Sequence, residues 1–177
     1  MPSLFGKKVL MVIAPREFRD EELERPKAFL EQAGAEVTIA STAMGGCYGM
    51  LGAEVEADVA IGDVRASDFD AVIVVGGMGS QKYLWGSEKL HRLLQDAERD
   101  GKVIGGICLS GAALARAGVL AGKRATVWRT PESLAEMEKG KAITLDELVV
   151  VDGRVVTADG PNAARHFGER IAQLLGA

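Results

Sequence analysis

The sequence predicts an α/β fold, a flavodoxin-like three-layer sandwich with a mostly parallel sheet and a cysteine on a nucleophile elbow. Three observations carry that expectation. The segments 9–14, 71–75 and 103–107 are apolar throughout, as strands covered on both faces must be. Amphipathic helical stretches separate them, and strands alternating with helices imply a parallel sheet with helices on both faces. One strand, Val103–Ile107, runs directly into a cysteine between small residues, Gly106-Ile-Cys108-Leu-Ser110.

The first strand is the run from Lys8 to Ala14. A helical stretch follows with Leu23, Leu30 and Ala33 on one side and Gly34 as its stop. Pro26 lies inside that stretch, so the helix either begins near it or is kinked there. Glu36-Val-Thr-Ile-Ala40 is β-branched and reads as the second strand. From Met44 to Ile61, glycines at 45, 46, 49 and 52 suggest a hairpin or an irregular excursion. Ala71–Val75 is a strand ending in the glycine loop Gly76-Gly-Met-Gly79.

Ser87–Asp100 has Leu90, Leu93, Leu94 and Ala97 at helical spacing, closed by Gly101. Val103–Ile107 is a strand, and Ser110–Ala117 is so apolar that it reads as a buried helix. Short strands are expected around Ala125–Trp128, Leu148–Val151 and Val155–Thr157, the last two joined through Asp152-Gly153. A helix from Pro161 onward buries Ala164, Phe167, Ile171 and Leu174. No repeat, low-complexity tract or linker interrupts the pattern, so residues 1–177 read as a single domain.

Composition narrows the function. A net charge of -4 without a basic stripe argues against a nucleic-acid partner. No apolar stretch approaches the roughly 20 residues that span a bilayer, so no membrane partner is expected. The cysteines, Cys47 and Cys108, form no CxxC pair and suit a reducing compartment, here the cytoplasm. With two separated cysteines and two distant histidines, no metal-ligand set is recognisable. The glycine loop lacks the full G-x-G-x-x-G pattern, and no Gly-Lys-Ser/Thr follows, so no cofactor is expected.

Cys108 is the leading candidate for chemistry. A parallel strand that turns sharply into a helix needs small residues two positions either side of the turning residue, and Gly106 and Ser110 stand there. The turn places Cys108 at a helix N-terminus, whose free N–H groups favour a thiolate. The competing reading is a small buried hydrophobe. The glycine loop after residue 75 reads as a tight turn at the carboxyl edge of the sheet, with an N–H available for an oxyanion. By spacing alone, Asp20, Glu21 and Glu22 read as a first-turn cluster serving the helix dipole. His91 reads as a boundary residue of its helix. His166, after the turn Gly160-Pro161, is compatible with a dyad through Cys108 without being required.

Several motifs taken together resemble the ThiJ/PfpI/DJ superfamily, whose fold is related to class I glutamine amidotransferases. Glu22 four residues ahead of Pro26, Gly49 and Gly52 followed by Val55 and Asp58, and Asp68-Phe-Asp-Ala71 leading into Val74-Val-Gly-Gly77 all fit it. So do Ile107-Cys108, Ala117-Gly-Val-Leu120, Lys123-Arg-Ala-Thr126, Val149-Val-Val-Asp-Gly153 and Val155-Val-Thr157. The resemblance covers essentially the whole chain. It implies that Cys108 is the nucleophile and that protonated Glu22 hydrogen-bonds its sulfur. It implies an oxyanion site of the Gly77 and Leu109 N–H groups, a pocket bordered by Pro161, and a homodimer or higher homo-oligomer.

The chain departs from the pattern at three places. The PfpI branch carries a histidine directly after the cysteine, and here that residue is Leu109. The DJ branch carries one where this chain has Trp128, and a common Ser-Arg pair is replaced by Ala158-Asp159. A proton shuttle must therefore come from Glu22, a water or His166. The first functional expectation is a cysteine-dependent enzyme for small reactive carbonyls, of glutathione-independent glyoxalase or deglycase type. The alternative is a non-catalytic redox or stress sensor oxidised at Cys108. An isocyanide hydratase-like activity and a PfpI-type peptidase rank behind these.

Overall fold

Residues 1–177 are described by a computed structural model. Strand β1 (Lys8–Val12) leads to a short β2 (Arg16–Phe18) and helix α1 (Asp20–Gln32). Then come β3 (Glu36–Ser41), β4 (Gly45–Gly49), β5 (Glu54–Ala57), β6 (Val59–Ala60) and β7 (Ala71–Val74). Helices α2 (Met78–Tyr83) and α3 (Glu88–Arg99) precede β8 (Val103–Ile107) and α4 (Gly111–Ala117). The chain continues through β9 (Arg124–Ala125), α5 (Pro131–Lys139), β10 (Ile143–Thr144), β11 (Val149–Asp152), β12 (Val155–Ala158) and α6 (Ala164–Leu175).

The main sheet has the order β11-β12-β8-β7-β1-β3-β6, parallel throughout except for the terminal hairpin β11–β12. Its centre is buried on both sides: every residue of β7 and β8 is inaccessible to solvent or nearly so, which is why those runs carry no polar alternation. Helices α1 and α6 pack together on one face, with α6 on β8 and β12. Helices α3 and α4 cover the other face, with α5 against α4. A core of 54 buried residues runs through both interfaces.

The expected strands and main helices are present, with five differences. Helix α1 begins at Asp20 and continues through Pro26 rather than starting there. Pro26 cannot donate to the carbonyl of Glu22 one turn earlier, and its buried ring faces α6 at Gly168, where an added Cβ would lie 3.0 Å from Pro26 Cα. The glycine loop is itself the start of a helix, α2. Helix α5 has no counterpart in the sequence reading, although Thr130-Pro131 and Ser133 form a reciprocal capping box with proline in the first turn. Beyond Ala125 the chain leaves the strand, so Trp128 lies in a loop; Leu174 is half-buried, and Leu175 takes the core position instead.

The excursion between β3 and β6 is an antiparallel hairpin, β4–β5, which joins β2 in a separate three-stranded sheet. Asp20 fixes it. Its carboxylate accepts the N–H groups of Leu51 at 3.0 Å and Ala53 at 2.9 Å, so this first-turn acid anchors the hairpin tip over the carboxyl edge of the sheet.

Candidate active site

Strand β8 ends at Ile107, and the chain turns at Cys108 with φ 60°. A residue with a Cβ holds that left-handed conformation only where its surroundings impose it. Here the backbone N–H of Trp128 donates to the Cys108 carbonyl at 3.1 Å, and Trp85 Nε1 donates to the Leu109 carbonyl at 2.8 Å. Ser110 Oγ donates to the Val75 carbonyl at 2.6 Å and lies 2.7 Å from Ser80 Oγ, tying the turn to β7 and α2. A Cβ on Gly106 would lie 2.8 Å from the Leu114 side chain, so the small residue before the cysteine lets α4 fold back over the strand.

The ends of β7 and β8 almost touch. A Cβ on Gly76 would lie 2.5 Å from Glu22 Oε1, 2.5 Å from the Ile107 carbonyl and 2.6 Å from Cys108 Cβ. Gly77 has φ 103°, and a Cβ there would lie 2.5 Å from the Arg19 nitrogen. Glycine is required at both positions by space, and at the second by conformation as well.

Glu22 reaches this point from the first turn of α1 and is fully buried. Its Oε1 accepts the Gly76 N–H at 3.1 Å, whereas Oε2 is buried without a hydrogen-bond partner. Burial pushes the Glu22 carboxyl up to about 8, against the opposing influences of the Cys108 thiol, the Gly76 N–H and the Arg19 charge. It is therefore protonated at neutral pH. Cys108 is 7 % exposed, and burial raises its thiol, with a negative charge on Glu22 raising it further. Hydrogen bonds from the Gly77 and Leu109 N–H groups to the sulfur act in the opposite sense. The favourable helix N-terminus read from the sequence thus competes with desolvation, which is the larger influence.

Two carboxyl groups of the same turn have unlike surroundings. Glu21 is paired with Arg19 through two contacts of 3.0 Å, which hold it below the usual carboxylate range. Glu22, with no cation bonded to it, is held in the neutral form. Spacing could not distinguish these two acids, because the difference lies in what β7 and β8 bring against them.

A cavity of about 140 Å³ opens beside the sulfur. Gly77, Cys108, Leu109, Trp128 and Pro161 line it, so the structure brings these together with Glu22. His166 is a correction. It does not line the cavity; its ring is more than half exposed on α6, with Nδ1 3.7 Å from Glu169 Oε2. The helix that carries it starts only after Pro161–Ala163 have turned the chain away. His91 is also engaged elsewhere, with Nε2 2.7 Å from the Trp85 carbonyl. Arg19, Met50 and Met78 complete the lining and were not anticipated from sequence. The glycines of the hairpin were the available signal for Met50, whereas nothing local marks Arg19. No group of three or more His, Cys, Asp or Glu side chains is placed to hold a metal ion.

Comparison with known proteins gives a consistent result. Residues 7–174 match the DJ-1/PfpI family. An uncharacterized protein of Methanocaldococcus jannaschii is 48% identical over 173 residues, covering 98% of this chain and 84% of that protein. A glutathione-independent glyoxalase of Caenorhabditis elegans is 30% identical, covering 96% of this chain and 89% of its own length. A deglycase of Pyrococcus abyssi is 31% identical, covering 94% of this chain and 98% of its own. Among solved structures, a ThiJ/PfpI domain protein of Brachyspira murdochii superposes with a TM-score of 0.89 at 32% identity, over 96% of this chain and 98% of that one.

Proposed function

The chain belongs to the DJ-1/PfpI family, and from that premise we propose that it is a cysteine-dependent enzyme acting on small reactive carbonyls, of the glutathione-independent glyoxalase or deglycase type. The observation that carries the reading is the burial of Glu22 against Cys108, which keeps a carboxyl group protonated at neutral pH beside a nucleophile that otherwise lacks an acid. With Glu22 neutral, its charge no longer opposes the thiolate, and the Gly77 and Leu109 N–H groups favour it.

In the reaction the thiolate adds to the aldehyde carbon of a 2-oxoaldehyde, and the carbonyl π electrons move to oxygen. The Gly77 and Leu109 N–H groups stabilise that oxyanion, and Glu22 gives it a proton to form the hemithioacetal. The Glu22 carboxylate then takes the hydrogen from the former aldehyde carbon, and an enediol forms. Reprotonation at the neighbouring carbon leaves a thioester of the 2-hydroxy acid. Water hydrolyses it and returns the thiol, so the balance is 2-oxoaldehyde plus water giving 2-hydroxy acid. The cavity of about 140 Å³ is smaller than the roughly 300–1,000 Å³ of pockets for drug-sized ligands, so it suits a small substrate.

Conversion of methylglyoxal to lactate without glutathione, lost in Cys108→Ala, tests this. Absence of turnover on any 2-oxoaldehyde, with ready oxidation of Cys108 by mild peroxide, would shift the assignment to the redox-sensing alternative.

A further inference from the structure

The cavity beside Cys108 is apolar with one exception. Met50, Met78, Leu109, Trp128 and Pro161 are its hydrophobic lining residues, and Arg19 is the sole charged residue lining it. Arg19 is held in place from two directions. Its backbone N–H donates to the Gly76 carbonyl at 3.0 Å, and its side chain is fixed by Glu21, with Nε and Nη2 each 3.0 Å from a carboxylate oxygen. A guanidinium has five N–H donors. Glu21 occupies one edge of the fork, and Nη1 has no partner in the protein. The side chain is 28% exposed, so Arg19 is neither fully solvated nor buried.

We infer that Arg19 reads the substrate: the preferred carbonyl compound carries a carboxylate, which takes the free edge of the Arg19 guanidinium while its carbonyl carbon lies at Cys108. The inference rests on the carbonyl-enzyme reading and specifies its substrate class. A carboxylate needs a planar donor fork, and an orienting partner that keeps the fork from folding away lowers the entropic cost of meeting it. Glu21 is that partner. The two methionines and Trp128 accommodate the chain between the two polar ends. A 2-oxoaldehyde acid such as 4,5-dioxopentanoate fits this description. It undergoes the same internal redox as methylglyoxal: the aldehyde carbon is oxidised to carboxylate, the ketone carbon is reduced to a secondary alcohol, and one water is consumed, giving 2-hydroxyglutarate.

Binding and turnover are tested separately. 4-Oxopentanoate and its uncharged amide, neither an aldehyde, are compared for protection of Cys108 against iodoacetamide in the wild-type protein. A charge-assisted hydrogen bond of this kind is expected to make the acid protect at about tenfold lower concentration than the amide. Arg19→Gln should abolish the difference, and Arg19→Lys should keep part of it. Equal protection by acid and amide in the wild type, or a preference that persists in Arg19→Gln, would overturn the inference. Turnover is then measured as the ratio of kcat/KM for 4,5-dioxopentanoate over methylglyoxal, expected at about ten and near one in Arg19→Gln. If the acid protects selectively and neither compound turns over, the carbonyl-enzyme reading falls and the carboxylate site stands. If both turn over at a ratio of one in the wild type, the reading stands and the role of Arg19 falls.

Discussion

The carboxyl group of Glu22 and the backbone N–H of Gly76 are joined by a 3.1 Å hydrogen bond that crosses from α1 to the end of β7. It fixes one oxygen of the acid and leaves the other without a hydrogen-bond partner. Because there is no space at Gly76 for a side chain, the bond and the approach of Glu22 to Cys108 depend on the same absent Cβ. Gly76→Ala is therefore expected to separate the pair. Overpacking of this kind costs about 1–3 kcal/mol. Urea denaturation should show that loss together with slower alkylation of Cys108; unchanged stability and unchanged alkylation would contradict it.

The sign of the thiol shift on replacing Glu22 distinguishes the two forms of the pair. With Glu22 protonated, its O–H can donate to the thiolate, so Glu22→Leu should raise the Cys108 thiol, and Glu22→Gln, which keeps a weaker donor, should raise it less. If Glu22 is ionised before the thiol, both variants should lower it, because a repelling charge is removed. Thiolate absorbance followed across pH measures the sign directly.

Stability should depend on pH through the same carboxyl. Glu22 ionises near its ordinary value of 4.5 in the unfolded chain and at about 8 in the folded one, so between these values the native state holds the extra proton. The contribution is fully present below the unfolded value and is lost as pH rises toward 8, at up to about 1.4 kcal/mol per pH unit. Wild type should lose a few kcal/mol relative to Glu22→Gln between pH 5 and 8, read from denaturation curves at each pH. A constant difference would mean that Glu22 titrates normally.

Neither histidine lines the cavity, so His166→Ala should leave methylglyoxal turnover within about twofold of wild type, whereas Glu22→Gln should cost the 10²–10⁴-fold typical of general acid–base groups. Casein and peptides should not be cleaved, since amine departure lacks an acid at the position occupied by Leu109. Cleavage that disappears in Cys108→Ala would reinstate the peptidase assignment.

The elbow was legible in the sequence because its constraint is local: Gly106 and Ser110 flank Cys108 for steric reasons that act over a few residues. The central strands were legible because burial on both faces removes every polar residue. The roles of the acids were not legible from spacing. Asp20, Glu21 and Glu22 are adjacent in the chain, yet one holds a hairpin tip, one pairs with Arg19 and one is buried against a sulfur; the partners of the first and last, Leu51 and Ala53 for Asp20 and Gly76 and Cys108 for Glu22, are distant in sequence. The resemblance drawn from the motifs singled out Glu22; the missing family histidines left Glu22, a water or His166 as the shuttle, and of these His166 is turned away on α6. Arg19 escaped notice because its significance is its position beside a cavity, which no local pattern records.

The contact between Pro26 and Gly168 lies away from the sulfur, and its consequence is mechanical. Glu22 and Pro26 are one turn apart on the buried side of α1, so the depth at which that helix rests on α6 sets how far the acid extends toward Cys108. A methyl group at Gly168 would press on Pro26 at 3.0 Å and lift the helix like a shim under a beam. Thiol chemistry in this protein is thus sensitive to the thickness of a joint that contains no reactive group. Substitutions that silence Cys108 are expected to accumulate there as well as around the sulfur.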